Sequence, residues 1–182
     1  MGERLRVELK QNKPFGSKAE EALLNVERTA DCFRRELQHM LKPFGITSTQ
    51  YNALRILRGA LPEGLTCSEL GQRLVSSDPD ITRLLDRLAR QGLASRRRGC
   101  GDKRIVLTKI SDDGLALLER VIPVIDAGVQ RIAAHMSEQQ LTELIDLLEI
   151  ARLPLVQPVD RSPEDREAAS GHGGGSSGCE VA

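Results

Sequence analysis

The chain has no tryptophan, one tyrosine and three phenylalanines among 182 residues. That scarcity argues against the aromatic platforms on which single-stranded nucleic acids stack. It has no excess of either charge: 26 basic and 26 acidic residues cancel. A polycation that coats nucleic acid is disfavoured, yet a local basic patch is still allowed, and local charge is what steers binding. No apolar run approaches the ~18 residues that span a bilayer, and the first residues, Met1 to Arg6, lack an apolar signal-peptide core. A cytoplasmic location with no membrane partner is expected. Cys32, Cys67, Cys100 and Cys179 contain no C-x-x-C pair, so neither a disulfide framework nor a zinc site is expected. His39, His135 and His172 are isolated and give no metal-ligand spacing. No nucleophile–base pair and no phosphate-binding glycine loop stands out. The expectation is a protein that is not an enzyme and carries no metal and no cofactor.

What the sequence does have is helical periodicity. Residues 1–16 read as a mostly polar arm ending in Lys13-Pro14-Phe15-Gly16. Over 17–44, Leu23, Val26, Ala30, Phe33, Leu37, Met40 and Phe44 recur in alternating steps of three and four, one seam along a helix of about seven turns. Such a helix is too long for one small core and calls for a partner helix. Thr47-Ser48-Thr49-Gln50 has the form of a capping box ahead of a helix that should bury Tyr51, Leu54 and Leu57. Thr66-x-x-Glu69 is a second box. Asp78-Pro79 predicts the next helix start, Asp78 as N-cap and Pro79 as first helical residue. In that helix Ile81, Leu84, Leu85 and Leu88 should face inward, and Thr82, Arg83, Asp86, Arg87 and Arg90 outward. Leu93–Arg98 and Lys103–Ile110 can pair as a hairpin through Gly99-Cys100-Gly101-Asp102. It carries Arg96, Arg97, Arg98, Lys103, Arg104 and Lys109 against one acid, Asp102. Ser111 should cap a second long helix with the seam Leu115, Leu118, Ile122, Ile125, Val129, Ile132 and Met136. Ser137-x-x-Gln140 opens a last helix with Leu141, Leu144, Ile145 and Leu148. Residues 154–182 are rich in Pro, Gly, Ser and charge and are expected to be a disordered tail.

Two short helices followed by an arginine-loaded hairpin are the grammar of a winged helix-turn-helix. The expected fold is α+β, mostly α: a winged helix-turn-helix (45–111) with long N-terminal (17–44) and C-terminal (112–153) dimerisation helices. The order of elements over 17–153 resembles the MarR family of transcriptional regulators. The resemblance rests on Ile46-Thr47-Ser48-Thr49-Gln50-Tyr51, Ser68-Glu69-Leu70, Ile81 to Leu88, Gln91-Gly92-Leu93, Asp102-Lys103-Arg104 and Ile110 to Gly114. It implies a dimer whose first and last helices interlock and whose winged parts grip successive DNA grooves. It also implies repression relieved by a small ligand or by cysteine oxidation.

On that reading affinity comes mainly from phosphate contacts by the basic wing, with Arg87, Arg97, Arg98 and Lys103 among the DNA-binding set. The resemblance places Arg104 in the minor groove, where narrow A/T-rich segments concentrate negative potential. Asp102 would orient an arginine, with Arg87 a candidate partner. Ser77, Asp80, Thr82 and Arg83 can reach base edges from the first turns of the recognition helix. A plainer reading stands beside this one: Asp80 caps the helix or pairs with Arg83, and Arg83 pairs with Asp80 or Asp86 on a solvated face. The expected dimer contacts are Leu23, Val26, Phe33, Leu37, Ile125, Val129, Ile132, Leu144 and Leu148. A two-fold dimer calls for double-stranded DNA with a pseudo-palindromic operator. Packing of the first helix on the last two within one chain is the alternative outlet for the seams. Phe33, Met40, Phe44 and Tyr51 either line a small-molecule effector pocket or belong to the core. Cys32 and Cys100 are the candidates for a redox-sensing variant of the function, although by the resemblance Leu23 stands where peroxide-sensing relatives carry their cysteine. The other alternative is a winged-helix protein-interaction module that does not bind DNA.

Overall fold

The computed structural model describes residues 3–75, 80–98 and 106–155. The expectations for Ser77, Asp78, Pro79, Cys100, Asp102, Lys103, Arg104 and the tail beyond 155 lie outside the described residues, as does the side chain of Arg98. The described elements are α1 (Glu3–Glu8), α2 (Lys18–Leu41), a 3₁₀ turn (Lys42–Phe44), α3 (Ser48–Gly59), α4 (Cys67–Arg73), α5 (Ile81–Arg90), β1 (Ala94–Arg98), β2 (Val106–Ile110), α6 (Asp112–Ala133) and α7 (Glu138–Arg152). The chain divides after Ala133 into two compact units. Among the described residues no helix is long and apolar enough to cross a membrane.

In the first unit the polar punctuation of the sequence fixes where the helices start. Thr47 and Gln50 form a reciprocal capping box at α3, and Thr66 and Glu69 form one at α4. Each box satisfies two amide groups that a helix start leaves without intrahelical partners. The Ser111 hydroxyl accepts the Gly114 amide at 3.1 Å to start α6 and donates to the Gly92 carbonyl at 2.5 Å. Gly45, at φ +69°, ends the 3₁₀ turn. The apolar faces so aligned make one core: Leu41, Ile46, Tyr51, Leu54 and Leu57 with Leu70, Leu84, Leu85, Leu88, Leu118 and Val121.

β1 and β2 pair antiparallel, from Ala94 opposite Ile110 to Arg98 opposite Val106. Leu65 joins β2 on its other side. Its amide donates to the Thr108 carbonyl at 2.9 Å, and Thr108 returns a bond at 2.7 Å. Gly64, at φ +84°, permits this approach; a Cβ there would lie 2.6 Å from both the Thr108 carbonyl oxygen and Lys109 Cγ. The wing is therefore fastened to the chain between α3 and α4.

The N-terminal arm gains detail, and the start of α5 needs correction. The N-terminal arm contains α1, with Leu5 buried and Glu8 paired with Arg28 of α2 at 3.2 Å. A lone buried leucine in a polar stretch gives no periodicity to detect. Asp80, and not Asp78, occupies the N-cap of α5, because its carboxylate accepts the Arg83 amide at 3.0 Å.

In the second unit α7 opens with the third capping box, Ser137 with Gln140, and none of its residues is buried.

Candidate nucleic-acid interface

α5 is two-faced because its apolar residues fall at helical spacing. Leu84, Leu85 and Leu88 enter the core, Ile81 packs on it, and Thr82, Arg83, Arg87 and Arg90 face solvent. Asp80 caps the helix and also pairs with Arg83, Oδ2 to Nε at 2.9 Å. The plainer reading of these two residues is thus realised in the free chain. The pair is exposed, and exposed pairs hold by only about 0–1 kcal/mol, so Arg83 can leave Asp80 for a base or phosphate at small cost.

The wing divides its basic residues. β-strand alternation turns Ala94 and Arg96 inward, while Ser95 and Arg97 stay exposed. Arg96 Nη1 pairs with Asp86 of α5, and its Nη2 lies 4.0 Å from Cys67 Sγ at the start of α4. Lys109 folds back to donate to the Pro62 carbonyl. Two of the six basic residues counted in the sequence are therefore structural, and Arg97 is the exposed one whose side chain is described. Asp86, expected on the outer face, is only partly exposed and is paired with the less exposed Arg96.

The start of α4 is closed by its own side chains. Glu69 Oε2 accepts the Thr66 amide and hydroxyl, both at 2.8 Å. These two bonds hold the Glu69 carboxyl below its ordinary 4.5, with Arg73 adding to the effect. A lowered carboxyl stabilises the fold above its unfolded pKa and loses that contribution as pH falls through the folded value. Glu69→Gln keeps the box without the charge. The stability advantage of the parent over Glu69→Gln is expected to shrink as pH drops below 4.5, read from melting curves across pH; a constant gap would refute it.

On α2, Leu23, Val26 and Phe33 are exposed, and Leu37 and Met40 pack against the core. On α6, Val129 is exposed and Ile132 half-buried, but Ile125 is 6 % exposed and belongs to the core of its own chain. It is corrected out of the dimer set, because its burial within one chain leaves it no surface for a second copy. On α7, Leu144 is exposed and Leu148 half-buried. Tyr51 is core; Phe44 and Met40 are half-buried against it; Phe33 is exposed. An open surface depression of about 550 Å³ lies beside α6, lined by Pro123, Val124, Ala127, Gly128 and Arg131 with Met40 of α2. Cys32 is exposed on α2, 4.0 Å from Arg35 Nη2.

Comparison with known proteins gives this geometry its context. Residues 44–105 match the MarR family model. The organic hydroperoxide resistance transcriptional regulator of Bacillus subtilis is 33% identical over 121 residues, 63% of this chain and 81% of the relative. The chain belongs to the MarR family. A MarR transcription factor from Planctomyces limnophilus is 36% identical with a TM-score of 0.59, over 75% of this chain and 98% of that one. A mutant MarR from E. coli complexed with operator DNA is 27% identical with a TM-score of 0.64, over 71% and 93%. As a MarR-family transcriptional regulator the protein has the family's DNA-binding winged-helix fold. Within that fold, β1–β2 form the wing and α5 is the helix that precedes it.

Proposed function

We propose that the protein is a homodimeric, sequence-specific DNA-binding regulator that represses its target genes and is released by a small ligand. The observation that carries this reading is α5. It presents Thr82, Arg83 and Arg87 outward from a buried apolar base, beside the exposed Arg97 of the wing, in a fold whose E. coli relative is complexed with operator DNA. Thr82 and Arg83 read base edges, with Ser77 and Asp80 at the entrance to the helix. Arg87, Arg97, Arg98 and Lys103 hold phosphates, Arg104 enters the minor groove, and Asp102 orients an arginine of this set. The exposed residues of α2 and of α7 supply apolar faces for a second copy. The depression beside α6 is the candidate effector site, aliphatic with Arg131 at its edge. A redox-controlled variant of this function has one observation in its favour, the exposure of Cys32 beside Arg35.

The test is selection of duplexes from a random library by the purified protein, followed by footprinting. Recovered sequences should be inverted repeats with half-sites about 10 bp apart or a multiple of that, bound with an affinity that falls steeply with salt. Recovery of no duplex at low ionic strength would overturn the reading in favour of a protein-interaction module.

A further inference from the structure

The side chains of α3 grip the recognition segment at two places. Gln50 is 2 % exposed, and a buried amide must be fully bonded. Its Oε1 accepts the Thr47 amide at 2.9 Å, the ordinary duty of a capping box. That bond fixes which end of the amide faces the other way. Nε2 donates to Gln91 Oε1 at 2.8 Å, and Gln91 is the C-cap of α5. Two residues further along α3, Asn52 Oδ1 accepts the Val75 amide at 3.0 Å, beyond the end of α4 and on the approach to α5. A third attachment leads to the long helix. Gln38 of α2 donates to the Ile46 carbonyl at 3.3 Å and accepts the Ser48 amide at 3.2 Å. The residues that hold the Thr47 cap are thereby fastened to α2.

We infer that Gln50 is a positioning residue for operator binding: with Gln91 it sets the C-terminal end of α5 against α3, and with Gln38 it ties that setting to α2. The inference rests on α5 being the DNA-reading element, as proposed above. An apolar residue at position 50 would fill the space, but only a directional bond fixes how far α5 has slid along its neighbour. Displacement of α2, next to the candidate effector depression, then reaches the recognition helix through three side-chain amides.

The test acts on Gln91, which is exposed, so that the core is untouched. Gln91→Glu still offers an acceptor to Gln50 Nε2. Gln91→Lys offers only donors, and Gln50 cannot turn its oxygen toward them without losing Thr47. The probe is a duplex that the unmodified protein selects from a random library. Gln91→Lys is expected to bind it about three- to tenfold more weakly, in the range of coupling between bonded neighbours, and Gln91→Glu within about twofold of the parent. This order is opposite to what charge alone gives, since an added cation favours DNA and an added anion disfavours it. Amide hydrogen exchange at Gln91 and Gly92 should be faster in Gln91→Lys than in Gln91→Glu. Tighter binding by Gln91→Lys than by Gln91→Glu, or affinities that merely follow melting temperature, would overturn the inference while leaving the DNA-reading role intact. If the parent protein selects no duplex, that role and this inference fall together.

Discussion

Replacing Arg83 and Arg104 together by alanine is expected to weaken operator binding at least about thirtyfold while moving the melting temperature by no more than about three degrees. An arginine that contacts DNA is worth about 1–3 kcal/mol, and independent contributions combine nearly additively. Arg83 is 83 % exposed at its side chain, and its one described ion pair is the weak surface bond to Asp80. Its removal therefore costs the fold little. The single variants should separate the two roles. Arg83→Ala relaxes the preference at one base pair, whereas Arg104→Ala flattens the preference for a narrow A/T-rich flank. Arg97→Ala should instead weaken all duplexes alike and lower the slope of affinity against salt by about one. Fluorescence anisotropy on selected and scrambled duplexes measures all of these. A double variant that binds like the parent would remove α5 and the wing from the interface.

The second large effect concerns assembly. Leu23→Glu combined with Phe33→Glu is expected to convert the dimer to a folded monomer that no longer holds its operator. Leu23 is 63 % and Phe33 49 % exposed on the same long helix, and Val26 lies between them. Burying each such side chain is worth about 1.5–3 kcal/mol. In the second unit α7 separately exposes Leu144, Ile145, Leu147 and Ile150, an apolar face that also favours a partner. Because both substituted residues are already in water within one chain, the glutamates leave the protomer core intact. Any fall in melting temperature should track the lost association and depend on protein concentration. Sedimentation velocity at micromolar concentration decides the matter, and a parent protein that sediments as a monomer would end the proposal.

Much of this architecture is readable before any coordinates. Three S/T-x-x-E/Q signals fall at three helix starts, and all three close as reciprocal boxes. The 3/4 spacing on α5 separates Leu84, Leu85 and Leu88 from the arginines correctly. The boundary of α5 was misplaced by rules that favour proline at the first helical position. Asp80 offers the same capping chemistry closer to the apolar run. What remained hidden was long-range. Asp86 meets Arg96 across a helix and a strand, and Gln50 meets Gln91 across 41 positions. No local propensity encodes such pairs; they exist only once the core has brought the elements together.

The wing's attachment has a consequence for how an operator can be spelled. Arg96 pins β1 to α5, and Leu65 pins β2 to the segment entering α4. In the role proposed for α5, that helix and the hairpin base form the two jaws of a caliper with one setting. An operator half whose major-groove and minor-groove marks are one base pair too close or too far apart would not fit between them. The distance from one half to the other is gauged elsewhere, by whatever joins two copies, so changes on α2 should re-space the two halves of an operator without altering the letters within either.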